Sequence, residues 1–136
     1  MLDTFTLNLP DGWSNQTAYL MAGPAEGDSA PIVTLTLDRK PTAGDLDEFA
    51  DSRVAMLEES FGQMEVLKNE NITLANGMTA REFIAQLGIS DPPQFRKHLW
   101  LFQNKVGYDF VGDFTRQTLR TFGIDMVRIA GTLQTD

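Results

Sequence analysis

Few residues in this 136-residue chain have side chains suited to chemistry, and they are scattered. His98 is the only histidine and cysteine is absent, so the imidazole has no thiolate or second imidazole with which to build a zinc site. Asp109 and Asp113 flank Val111 at a spacing that puts both carboxylates on one face of a strand, a pairing able to serve acid–base work or a hard cation. No further oxygen ligands stand at loop spacing, which reads the two as solvated strand acids. The serines Ser14, Ser29, Ser52, Ser60 and Ser90 lack the strand–turn–helix context of a nucleophile elbow, and one histidine would have to serve any triad. Gly107 and Gly112 fall inside a strand pattern, where glycine marks close packing or a bulge, not a phosphate cradle. The expectation is a protein that is not an enzyme, with no catalytic residue, metal ligand or cofactor.

Stepping from these residues to the elements that carry them, the central stretch is Phe95 to Phe114, FRKHLWLFQNKVGYDFVGDF, which holds nearly half of the aromatic residues. It reads as two strands joined at Gln103-Asn104-Lys105. Alternation sets Leu99 and Leu101 on one side and His98, Trp100 and Phe102 on the other. Both sides are apolar, which places this strand inside a sheet with something packed on each face.

Around it, Phe5, Leu7 and Leu9 alternate with polar residues before a turn at Pro10-Asp11-Gly12. Gln16 to Ala22 is a second strand, and Gly23 to Pro31 a loop of small residues. Val33, Leu35 and Leu37 form one side of a third strand, with Ile32, Thr34 and Thr36 on the other. Leu46, Phe49, Ala50, Val54, Leu57 and Phe61 recur at helical steps, with Thr42 and Asp45 as a capping pair and Gly62 as the stop. Met64 to Ala75 is extended, bent near Asn69-Glu70-Asn71, and Asn76-Gly77 turns it into a strand from Met78 to Ile89. Leu119, Phe122, Met126, Ile129 and Leu133 make the stripe of a closing helix. The sum is one α+β domain over residues 1–136, a mainly antiparallel sheet with two amphipathic helices packed on it. Val33-Leu35-Leu37 together with Phe83-Ala85-Leu87 would form the one sheet surface that takes both helices.

Nineteen acids against eleven bases give a formal charge of −8, and no basic patch is segregated, which argues against nucleic acid as a partner. The start has neither a long apolar run nor a basic leader, so the expectation is a cytoplasmic protein without stable membrane insertion. With both helices assigned to one surface, the reverse rows are left open. Thr34, Thr36, Ile84, Gln86, Trp100, Phe102 and Val111 are accordingly the candidate partner-binding residues, combining apolar area with a few hydrogen-bonding groups. The alternative is that a helix or loop covers them and they are core.

FTLNLPDGW, then IVTLTLDRK, a short helix with an acidic face, the NITLANGMTAREF hairpin, an aromatic strand pair and a closing helix resemble the DcrB-like proteins of the PsbP-like fold. The likeness is to their short, signal-less branch, the EagR-type chaperones of type VI secretion. The resemblance implies a homodimer that holds the hydrophobic, transmembrane-type helices of a toxin effector before export. The alternative is a module of the same fold that binds a small apolar ligand or a protein and has no role in secretion.

Overall fold

The computed structural model describes residues 8, 10–13, 18–24, 31–88 and 91–135. The strand expected over Phe5, Leu7 and Leu9 lies outside this set. The elements in chain order are β1 (Ala18–Ala22), β2 (Ile32–Asp38), α1 (Leu46–Phe61), β3 (Met64–Thr73), β4 (Thr79–Leu87), β5 (Phe95–Gln103), β6 (Val106–Phe114) and α2 (Arg116–Ala130). The strands form one sheet in the order β1-β2-β6-β5-β4-β3, every neighbouring pair antiparallel.

Pairing begins at the β5–β6 hairpin. Gln103 is opposite Val106, which leaves Asn104 and Lys105 as a two-residue turn. Both have positive φ, 53° and 62°, as a turn that follows the strand twist requires. Asparagine tolerates that region; for lysine it costs about 1 kcal/mol. From this turn the register places Phe95, Lys97, Leu99 and Leu101 on one face with Phe114, Gly112, Phe110 and Tyr108. Arg96, His98, Trp100 and Phe102 share the other face with Asp113, Val111, Asp109 and Gly107.

Each face receives its own helix, which corrects the expectation that both share one. Phe49 and Ala50 of α1 pack with Phe83, Ala85 and Trp100, and Met126 and Ala130 of α2 pack with Leu99, Leu101, Tyr108 and Phe110. Through the two intervening strands, Leu35 is aligned with Phe110, Phe110 with Leu99 and Leu99 with Glu82. Val33, Leu35 and Leu37 therefore lie on the α2 face, whereas Phe83, Ala85 and Leu87 lie on the α1 face. Both rows were legible as apolar; their relative parity depends on three successive registers, any of which reverses it by slipping one residue.

Local sequence explains how each helix starts and docks. The N-cap of α1 is Asp45, whose carboxylate accepts from the Glu48 N–H, while Glu48 reaches back to the Gly44 N–H; Thr42 takes no part. Gly62 ends the helix at φ 67°. The ring of Phe49 lies directly over Gly107, where a Cβ would collide with it. Close packing is thus the reason for a glycine inside β6. Arg81 of β4 ties the start of α1 to the sheet, donating to Asp47 at 2.6 Å and to Asn71 at 2.6 Å. Thr115 and Thr118 form the capping box of α2. At its far end Asn76, from the β3–β4 turn, donates to the Leu133 carbonyl at 3.0 Å and clips the helix terminus down. Strand β3 runs unbroken to Thr73, with its irregularity between Val66 and Lys68 and not at Asn69-Glu70-Asn71.

The α2 face also buries charge. Glu82 and Lys97 are 6% and 4% exposed. Glu82 accepts from Lys97 at 3.0 Å and from Lys68 at 2.5 Å, and Lys97 also donates to the Gly123 carbonyl at 2.9 Å. Burial pushes the Glu82 carboxyl up, but hydrogen bonds from Lys68 and Lys97 and the charges of both outweigh it and hold the group below its ordinary 4.5. Lys68 is raised, first by its hydrogen bond to Glu82.

Two outcomes follow from this construction. Lys105→Gly removes the left-handed strain at the turn and should stabilise the protein by about 0.5 to 1 kcal/mol, read as a higher denaturant midpoint at unchanged slope. Because the Glu82 carboxyl is depressed in the folded state, its contribution is complete above the unfolded value and disappears as pH falls through the folded one. Glu82→Gln should therefore destabilise at neutral pH by roughly 3 to 5 kcal/mol, and its stability should fall less than the wild type's between neutral pH and pH values below the ordinary 4.5.

Candidate functional site

Helix α1 covers β4 and β5 and stops short of the other half of its face. Among the described residues, beyond the Gly107 end where Phe49 sits, no element lies over this face of β6, β2 and β1, which forms a floor: Val111 opposite Thr34, Asp109 opposite Thr36, and beyond them Leu20 opposite Thr34 and Ala22 opposite Ile32. Leu20 is 69% and Ile32 48% exposed, too much for core residues. Thr34, Thr36 and Val111 are half-buried between them. Along the opposite margin α1 presents Met56 and Phe61, 55% and 40% exposed. An apolar floor with two hydroxyls, bounded on one side by a methionine and a phenylalanine, forms an open groove.

Polar groups line the foot of α1. Arg96 forms a bidentate pair with Asp113, at 2.8 and 3.1 Å, and its guanidinium lies 5.0 Å from the centre of the Phe61 ring. That hydrogen bond, with the charges of Asp113 and Asp109, raises the Arg96 pKa further against the lowering effect of burial. Arg53 sits 3.7 Å from Asp38 and 5.0 Å from the centre of the Phe49 ring. The His98 Nδ1 is 2.7 Å from Asp109 Oδ1, and the imidazole stacks on Trp100 at 5.0 Å. Asp109 and Asp113 do share one face, as their spacing indicated; Asp113 is exposed to solvent beside Arg96, whereas Asp109 is largely buried against His98. Ser60 lies in the same wall, yet the His98 Nε2 accepts from and donates to nothing, so no nucleophile–base hydrogen bond is formed. Among the described residues no group of three or more acids and histidines is arranged to hold a metal ion.

The seven residues singled out from the sequence separate into three sets. Thr34, Thr36 and Val111 lie together on the open floor. Trp100 and Phe102 are on the same face but belong to the α1 core: Trp100 is fully buried and Phe102 packs against Phe49 at 6.1 Å. Ile84 and Gln86 are opposite Lys97 and Phe95 and therefore face α2, away from the groove. The grouping failed because it carried the parity of β2 across to β4 as though the two were neighbours. Leu20, Met56 and Phe61 were missed. The alternation of Leu20 with Tyr19 and Met21 was a usable signal, whereas Phe61 repeats at the spacing of the buried stripe and gave none.

No family model matches the chain, and no curated protein matches it either. Solved structures do. The crystal structure of PA94 from Pseudomonas aeruginosa, a protein of unknown function titled as a candidate regulator, superposes with a TM-score of 0.72 at 14% identity, covering 96% of this chain and 90% of that one. The solution structure of cyanobacterial PsbP (CyanoP) from Synechocystis sp. PCC 6803 gives a TM-score of 0.59 at 8% identity, covering 93% of this chain and 95% of that one. At such identities the likeness shows architecture alone. The chain has a PsbP-like α+β fold, which in the described residues is a six-stranded antiparallel sheet with two helices.

Proposed function

We propose that this chain is a non-enzymatic chaperone or adaptor that holds a hydrophobic, transmembrane-type helix of another protein in the groove beside α1. The observation that carries this reading is the floor of Leu20, Ile32, Thr34, Thr36 and Val111, which no described element covers, with Met56 and Phe61 along its margin. Contiguous apolar surface rimmed by polar groups marks a docking site, and an apolar helix laid in a groove is one of the recurring recognition modes. A methionine at the margin can repack around different side chains. The hydroxyls of Thr34 and Thr36 offer hydrogen bonds to an occasional polar residue on such a helix. The resemblance to EagR-type proteins supplies the finer reading, that the partner is a toxin effector held before type VI secretion and that two copies of the chain act together as a homodimer. Two floors facing one another would shield a helix on both sides, which a single groove does not.

The test uses a labelled model helix of about 20 leucine and alanine residues, long enough to span a bilayer, in buffer without detergent. Wild-type protein should keep it in solution, and light scattering should report about twice 15.2 kDa for the free protein. The double variant Leu20→Asp, Ile32→Asp should let the helix precipitate while its own melting temperature changes little, because both side chains are already in water. Trp100→Ala should instead cost about 3 to 5 kcal/mol of folding stability. A double variant that holds the helix as well as the wild type would overturn the proposal.

A further inference from the structure

The chain has no cysteine, so its sulfur chemistry is that of methionine. Of the described methionines, Met126 is fully buried, Met21, Met64 and Met78 are half-buried, and Met56 alone is exposed, at 55%. Met21 and Met78 pack against the core under α2, and Met64 against the core under α1. Met56 stands instead in the wall of an open cleft between the C-terminal half of α1 and β5–β6, together with Leu57, Phe61 and Asp109. Asp109 is on the groove floor opposite Thr36. Met56 thus borders the groove and is in water at the same time.

A thioether in water is open to two-electron oxidants, and burial protects it. With hydrogen peroxide the S–O bond forms as the O–O bond breaks. The sulfur gives up two electrons, and the peroxide is reduced and leaves as water. The product is a sulfoxide, polar where the thioether was apolar, and its oxygen accepts hydrogen bonds. In the free protein water satisfies that oxygen. An apolar helix laid over it removes the water and offers no donor in return, which weakens the contact at the margin. The fold itself is spared, because α1 docks through Phe49 and Ala50 with Leu46, Val54 and Leu57, and Met56 is not among these.

We propose that Met56 is a modification site, and that its oxidation to the sulfoxide by a peroxide makes the groove release an apolar helix. This regulation rests on the reading of the groove as a helix holder. It is reversible, since reductases return methionine sulfoxide to the thioether.

The test exposes the full chain to hydrogen peroxide for graded times and follows each methionine by peptide mass spectrometry. Met56 should convert before Met21, Met64, Met78 and Met126. At full conversion of Met56 the protein should bind the labelled leucine–alanine helix about tenfold or more weakly, with its melting temperature little changed. Treatment with both stereospecific sulfoxide reductases should restore binding. A Met56→Leu protein, which keeps the apolar volume, should hold the helix before and after the same exposure. Earlier conversion of one of the other four, an oxidised protein that binds the helix as tightly as the untreated one, or a Met56→Leu protein that loses the helix on exposure would each overturn the assignment. Untreated protein that never holds the helix would instead refute the groove reading, and this inference with it, whatever the order of oxidation.

Discussion

A strand that is apolar on both faces cannot lie on a surface, and β5 is such a strand. Leu99 and Leu101 point to one side, His98, Trp100 and Phe102 to the other, and all but Phe102 are nearly or fully buried. One helix can cover only one face, so the two helices must divide between the two. Helix α2 is centred over β5 and β6. Helix α1, tied to β3 and β4 through Arg81, is drawn to that half of the other face and reaches β6 only at Gly107, under Phe49. A single 16-residue helix spans too little of a six-stranded sheet to cover it all. The floor over β1, β2 and β6 is what remains. The open groove is thus a consequence of how the centre of the sheet is buried.

The same division accounts for the polar groups inside. On the α2 face a carboxylate between two ammonium groups is fully engaged, with Lys97 held additionally by a helix carbonyl. Removing water from Glu82 and Lys97 is costly, and the attraction among the three charges repays it only with this geometry. On the α1 face the arrangement is incomplete: Asp109 orients His98, but the far nitrogen of the ring and that of the neighbouring indole are left unsatisfied. One face closes its hydrogen bonds within the protein, and on the other two buried ring nitrogens have no protein partner.

Much of this was determined by the sequence alone. Alternation in Phe95 to Phe114 marked a central strand buried on both faces, Asn76-Gly77 marked a hairpin, and the helical steps from Leu46 and from Leu119 marked two helices, because each depends only on residues close along the chain. The α+β class followed from their order. What the sequence could not determine was how alternation in one strand aligns with alternation in another. Thr34 and Ile84 each look like the reverse side of their own strand, yet they lie on opposite faces of the sheet, since β6 and β5 intervene and every pairing between them can add or remove one step. The burial of Trp100, the exposure of Leu20 and the meeting of His98 with Asp109 were decided there. Those positions are set by registers between distant segments, and a register is fixed only when both faces of the sheet are packed at once.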